Sequence, residues 1–422
     1  MTAATPDTGA PPALKPYLRL LTATQFAFNT GFYAVLPYLA AHLGDGLGMA
    51  GWLVGLVLGL RTFSQQGLFV VGGALTDRYG PRPVVLTGCV LRIAGFCWLA
   101  QAGSTATVIG AVLLIGFAAA LFSPAVESET ARAAVAHETA TGTPRAQVLA
   151  VFSAAGQAGA FLGPLLGSLL LLLGGDFRTA CLAGAVVFVG VLAGHARLMP
   201  HRPHRPHRPR RPRTARAGAA LPREVFANRP FLVLCLVYSS YLVSYNQLYL
   251  ALPAEVERAT GSQSALGGLF ALSSLLVVVA QLPLTRWSAH RLPPRTALVT
   301  GLAVVATGFA AVPLAPDGPA GLLPAAALVV LLTLGQMLLV PAARGLVPDL
   351  VDDHRLGLAT GALSSVSGLA VLVGSAATGT LLDTPGAVLW TVLAAVPLTG
   401  AALALTLSGG RRTPEPVTTV TD

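Results

Sequence analysis

The chain has 422 residues, 54% hydrophobic and 10% charged, with a formal net charge of +10 and a mean hydropathy of +0.69. Soluble domains carry about 25% charged residues, so the composition excludes a soluble globular protein and points to a membrane protein. The four cysteines (Cys89, Cys97, Cys181, Cys235) all sit in apolar runs and form neither a disulfide framework nor a metal-ligand pattern. No nucleophile–base constellation and no phosphate-binding loop is visible, which argues against an enzyme and against direct ATP coupling; no cofactor or metal is implied.

A bilayer-crossing helix needs roughly 20 mostly apolar residues. Twelve such runs occur, near 17–43, 50–75, 84–102, 106–130, 147–173, 178–198, 230–254, 264–285, 296–314, 319–343, 356–382 and 386–408. The first has no small-residue cleavage site and is too long for a signal peptide, so it is read as a span. It carries Gln25, Asn29 and Tyr33 at successive i+4 spacing, one stripe of a helix. Polar side chains avoid hydrocarbon, so the stripe is expected to face protein or a water-filled cavity. Spans two and three each hold one cation, Arg61 and Arg92. At 1.5 Å per residue both lie roughly 16–18 Å from the outer face and share a depth.

Spans two and three are joined by "GALTDRYGPRP". The pattern Gly73-x-Leu75-x-Asp77-Arg78-x-Gly80-x-Arg82 resembles the signature loop of the major facilitator superfamily, with Pro81 where a basic residue is usual. That resemblance covers nearly the whole chain. It implies an all-α membrane protein with twelve transmembrane helices in two pseudo-symmetric six-helix bundles. It also implies a conformational latch built from Gly73, Asp77, Arg78, Gly80, Arg82 and Glu127. Asp77 is expected to sit against the positive end of span eleven, which begins near Leu356. Gly73 is expected to permit close helix packing and Gly80 a tight turn. In span four, Glu127 is read as the partner of Arg78 or Arg132, ahead of Glu129, and no acid lies at mid-membrane in any span. The corresponding second-half loop, "LPLTRWSAHRLPPRT", has Arg286 where Asp77 would fall, so one strong latch is expected.

In span five, Gly159-x-x-x-Gly163-Pro164-x-x-Gly167-Ser168 resembles the antiporter signature of drug exporters in this superfamily, with Ser168 replacing the last glycine. Small residues four apart let helices approach closely, and Pro164 removes a backbone hydrogen bond and kinks the span. Span four lacks the arginine such exporters usually carry. The segments around Arg61 and Arg92 resemble a branch of multidrug exporters that keeps an arginine-glutamine-glutamine span two.

Between spans six and seven runs "MPHRPHRPHRPRRPRTARAGAALPREVFANRP". Proline at every third position favours an extended polyproline conformation. The chain is thereby divided into a tail (1–16), a bundle (17–198), a linker (199–229), a second bundle (230–408) and a tail (409–422). His201, His204 and His207 form a conceivable metal tract, but a linker held by its arginines to anionic lipids is favoured. The halves echo each other. Tyr33 precedes Pro37 in span one as Tyr249 precedes Pro253 in span seven, and Gly163 and Ser153 in span five stand in step with Gly374 and Ser364 in span eleven. Span seven repeats tyrosine at 238, 241, 245 and 249, beside Asn246 and Gln247. A substrate cavity is expected between the halves, lined by Gln25, Asn29, Tyr33, Arg61, Arg92, Tyr241, Tyr245, Asn246 and Tyr249.

Of the 27 basic residues, twenty-three fall in segments on the side of the termini, two (Arg178 and Arg258) on the other, and two within spans. Both termini are therefore expected in the cytoplasm, and the net charge reflects topology, not nucleic-acid binding. The expected protein is a multi-pass monomer of the cell membrane. Its expected function is proton-coupled efflux of hydrophobic or amphipathic small molecules by alternating access. The alternative is transport of an anionic metabolite by Arg61 and Arg92.

Overall fold

The computed structural model describes residues 14–143, 145–173, 175–199, 228–314, 319–351, 356–382, 384 and 386–407. Linker residues 200–227, with their histidines and arginines, Asp383, and residues 1–13 and 408–422 lie outside the described residues. No strand occurs among those described. Span one consists of α1 (Leu14–Tyr33) and α2 (Leu36–Ala41), and span two of α3 (Gly51–Gln66) and α4 (Phe69–Tyr79). Then come α5 (Pro81–Leu99), α6 (Thr105–Thr141), α7 (Arg145–Leu172) and α8 (Phe177–Leu198). Span seven is α9 (Arg229–Asn246) followed by α10 (Ala251–Thr260). The rest are α11 (Ala265–Arg291), α12 (Pro294–Ala311), α13 (Leu322–Leu350), α14 (Leu356–Leu381) and α15 (Gly386–Ala404).

Eleven stretches of the described chain are long and apolar enough to cross a bilayer. Span one completes the twelve-helix array, its hydropathy diluted by the polar stripe and by Lys15 and Arg19. An even number of crossings brings Leu14 and Leu407 to the same end. That end is termed the terminal face, and the opposite end the distal face.

The proline echo has a structural counterpart. Pro37 has no N–H to bond the Tyr33 carbonyl, and Pro253 none for that of Tyr249; spans one and seven are both interrupted just there, at residues 34–35 and 247–250. Gly80 adopts φ 85°, which only glycine takes without strain, and Pro81 opens α5 at its first turn. The departure of Pro81 from the signature thus starts a helix. Asp176 caps α8 by accepting the Thr179 N–H at 2.8 Å, and Asn228 caps α9 while donating to the Leu350 carbonyl at 2.7 Å.

Two helices are longer than the hydropathy predicts. Span four was expected to end near residue 130, yet α6 continues to Thr141, roughly 16 Å further. The extension "ARAAVAHETAT" is polar but alanine-rich, so it holds a helix without needing lipid. It stops at Gly142, which is left-handed. α13 likewise runs on to Leu350.

The two halves repeat one set of pairings. Within the first, α5 packs on α6 and α8, and α1 on α7 and α8; within the second, α12 packs on α13 and α15, and α9 on α14 and α15. Between the halves, α3 packs along α14, α7 along α11, and α2 against α10. The in-step glycines obey the same symmetry. Gly163 of α7 lies against Thr30 and Tyr33 of span one, and Gly374 of α14 against Val243 of span seven.

Candidate functional site

A cavity of about 400 Å³ lies between the halves. The first half supplies Gln25, Asn29 and Tyr33 from α1, Glu127 from α6, and Phe152, Ser153 and Gln157 from α7. The second supplies Tyr245 and Tyr249 from span seven, Phe270, Ser273 and Ser274 from α11, and Gln336 and Arg344 from α13. The amide and phenol stripes read from the sequence meet across this space because both tyrosine- and amide-bearing spans turn the same face inward. The tyrosines form an aromatic ladder. Ring centroids are 5.7 Å apart from Tyr238 to Tyr241, 5.9 Å from Tyr241 to Tyr245, 6.0 Å from Tyr245 to Tyr249 and 5.4 Å from Tyr249 to Phe270.

Four expected cavity residues lie elsewhere. Tyr241 is buried in the second half's core. Asn246 joins the halves, accepting from Thr62 Oγ1 at 3.2 Å and donating to Ser375 Oγ at 2.8 Å. Arg61 donates to Thr62 Oγ1 at 2.7 Å and so stands behind that joint. Arg92 is 1% exposed and lies inside the first half. Its guanidinium carbon sits 4.9–5.3 Å from the ring centres of Phe28, Phe32, Phe96 and Phe188, and Nη1 donates to the Ile115 carbonyl at 3.0 Å. Four ring faces supply the negative potential that a carboxylate would otherwise provide. Nε of Arg61, and Nε and Nη2 of Arg92, have no hydrogen-bond partner among the described residues.

The described latch side chains are not gathered into one cluster. The side chain of Asp77 lies outside the described residues. Gly73 has open space where a Cβ would stand; the close approach belongs to Gly72, which abuts the Ala120 carbonyl of α6. Arg78 is exposed and stacks on Tyr79 at 5.3 Å. Arg82 donates to the Ala196 carbonyl at 2.8 Å, satisfying the last turn of α8. Glu129, not Glu127, holds Arg132 (2.7 Å) and receives the Tyr17 hydroxyl (2.9 Å). The glutamates stand two positions apart, so helical rotation sends one into the bundle and the other to the cavity.

The span-five motif is a seam. Cβ atoms at Gly159 and Gly167 would strike the carbonyls of Phe26 and Ala34, and one at Gly163 would lie 2.8 Å from Thr30 O. The Tyr38 hydroxyl donates to the Pro164 carbonyl at 2.7 Å and lies 2.6 Å from Ser168 Oγ. Ser168, in place of the last glycine, reaches the Ser264 carbonyl of the other half at 3.3 Å.

The sequence reading missed a second ladder. Gly51, Gly55 and Gly59 of α3 press on α14, where their Cβ atoms would collide with Gly379, Ser375 and Leu372. The signal was present in "GWLVGLVLG" and in "SAATG", small residues four apart in spans two and eleven. Hydrophobicity alone identified both as spans and hid the seam.

These contacts define the conformation. The α3–α14 ladder, Ser168 against Ser264 and the α2–α10 contact all lie toward the distal face, where the halves are closed. Within this closure a second hollow of about 420 Å³ contains Asp45 of the first half and Glu257 of the second. Burial and the Glu257 charge together push the Asp45 carboxyl above its usual range. A carboxyl whose pKa is raised on closure binds more protons in the closed form, so closure strengthens as pH falls and weakens as pH rises through that pKa. Asp45 is largely exposed, so the effect is expected to be modest. It is measured as protection of an Ala254→Cys thiol from a membrane-impermeant reagent, corrected for thiolate fraction. In Asp45→Asn the protection should lose its pH dependence; an unchanged dependence would refute the assignment.

Two pseudo-symmetric six-span halves around a polar cavity define a polytopic membrane transporter. The sequence profile of the Major Facilitator Superfamily matches residues 20–374, with a further match over 245–421. An uncharacterized MFS-type transporter of Mycobacterium tuberculosis strain H37Rv is 37% identical over 376 residues, covering 86% of this chain and 85% of the relative. The multidrug resistance protein MdtH of Aeromonas hydrophila is 31% identical, covering 80% and 83%. The solved nucleoside transporter NupG superposes with a TM-score of 0.76 at 14% identity, covering 94% of this chain and 100% of that one. A peptide transporter POT in complex with sulfate gives 0.74 at 18% identity, covering 92% and 93%. The chain belongs to the major facilitator superfamily and is a membrane transporter. Its relatives and structural neighbours are transporters, not enzymes.

Proposed function

We propose that this protein exports hydrophobic or amphipathic small molecules in exchange for protons. The observation that carries this reading is the cavity itself: aromatic and amide walls with a single carboxylate among its described lining residues, Glu127, set across from Arg344 of the other half. Aromatic faces and few polar anchors suit apolar compounds with scattered polar groups. A carboxylate facing the cavity can take up a proton or a cationic group. The glycine-proline motif of span five and the MdtH relatives support the same direction. The arginine distribution supports a cytoplasmic terminal face, to which the distally closed conformation would open. The anionic-metabolite reading is weakened because Arg61 and Arg92 are not among the lining residues of the cavity.

The test is transport in proteoliposomes with an imposed pH gradient, comparing lipophilic cationic dyes with small organic anions. Gradient-driven movement of the dyes, reduced about tenfold or more in Glu127→Gln, is the expected result. Anion transport with unmoved dyes would reverse the ranking. The latch reading is checked in the same assay. Asp77→Asn should insert and fold normally while transporting far more slowly, because an amide supplies no charge to a helix end.

A further inference from the structure

The face between α1 and α7 on the side of the terminal face carries a lipid-side groove of about 550 Å³, separate from the central cavity. It exists because α7 and α8 touch only sparsely, leaving α1 visible between them. Leu18, Ala23 and Phe26 form one wall, and Val148, Val151 and Ala155 the other. Arg19, Thr22, Thr143 and Gln147 gather at its terminal end. From Arg19 to Phe26 the groove descends roughly 10 Å along the helix, polar at the mouth and apolar below.

The charge at the mouth is open. Arg19 is exposed, and the ion pairs among the described residues are Arg132–Glu129, Arg145–Glu138 and Arg258–Glu255. The neighbouring Arg145 thus has a carboxylate, whereas Arg19 has none among the described residues. A guanidinium at headgroup depth, above an apolar slot and beside hydroxyl and amide donors, matches a phosphate diester joined to a hydrocarbon tail. A purely apolar occupant would leave the polar mouth unused.

We propose that this groove binds one acyl chain of an anionic phospholipid from the leaflet at the terminal face, with Arg19 holding the headgroup phosphate. The site is independent of what the central cavity carries.

The test titrates the full-length purified protein in detergent with phosphatidylglycerol and with phosphatidylcholine of the same acyl chains, read by mass-resolved binding. About 0.5 M ammonium acetate shortens electrostatic reach to roughly 4 Å, so the arginine-rich linker holds lipid only loosely. The wild type should prefer one phosphatidylglycerol by about tenfold, a preference reduced below about twofold in Arg19→Gln and kept in Arg291→Gln, an exposed arginine of the other half. Val151→Trp fills the groove and should lower occupancy by both lipids; Ala23→Phe does so from the opposite wall if the first variant does not fold. Retention of the wild-type preference by Arg19→Gln, or wild-type lipid binding by a groove-filling variant, overturns the proposal. So does displacement of phosphatidylglycerol by a transported dye, which would make the groove a substrate portal.

Discussion

Gly55→Leu is expected to leave the protein folded and membrane-inserted while lowering transport by tenfold or more. A Cβ at Gly55 would collide with the Ser375 carbonyl, and the flanking Gly51 and Gly59 are equally tight against Gly379 and Leu372. These are backbone contacts, which cannot rotate aside. The seam joins the two halves, so the strain is relieved when α3 and α14 part on the distal face. Overpacking costs about 1–3 kcal/mol, and that much differential strain shifts a two-state equilibrium by roughly five- to 150-fold. Gly159→Leu should fail differently. Its collision is with Phe26 of span one, inside the first half, where no conformational change relieves it. That variant is expected to lose yield and thermal stability together with activity. The measurement is a pair of readings on each protein: melting temperature, and labelling of a distal Ala254→Cys. A Gly55→Leu protein with normal transport, or a Gly159→Leu protein as stable as wild type, would contradict this division.

Arg92→Ala is expected to be the most destabilising single change among the intramembrane polar residues. It removes a fully buried side chain from among four phenyl rings and frees the Ile115 carbonyl. Truncating a large buried side chain costs about 3–5 kcal/mol, with cation–π contacts adding up to about 2 kcal/mol where water is excluded. The melting temperature should fall by about 5 °C or more, and residual activity should track the folded fraction. Arg61→Gln should be milder, since Arg61 hydrogen-bonds to Thr62 and, at 3.4 Å, to Gln65 of its own helix, and lies over one ring, Phe32 at 5.4 Å, where Arg92 has four. A well-folded Arg92→Ala protein that had lost only anion transport would restore the anionic-substrate reading.

The separation of these two variants was not legible in the sequence. Gly55 and Gly159 each sit in a ladder of small residues four apart, and the spacing says only that some helix comes close. Which helix it is, and whether it belongs to the same half, depends on contacts between residues 133 positions apart for Gly159 and Phe26 and 320 for Gly55 and Ser375. The glutamates make the same point. Glu127 and Glu129 are equivalent by hydropathy and depth, yet one faces Arg344 across the cavity while the other is 3% exposed and bonded to Tyr17.

What the sequence determined alone is whatever rests on local chemistry. Runs of about 20 apolar residues fix spans. Pro37 and Pro253 fix where spans one and seven break, because a missing N–H acts on its own helix. Gly80 and Pro81 fix the turn into α5, because φ 85° admits glycine and the first turn of a helix admits proline. The i+4 stripes at Gln25–Asn29–Tyr33 and Tyr245–Tyr249 fix which helix faces cannot meet lipid. Tertiary structure alone decided what those faces meet. It placed Arg92 in a ring of phenylalanines drawn from spans one, three and six, and Asn246 in a joint between the halves. It set Ser168 where a last glycine was expected, against the other half. A helix's own sequence sets its rotation relative to lipid, but a hydrogen bond or a close backbone contact needs two helices in register, and that register is settled by all twelve packing at once.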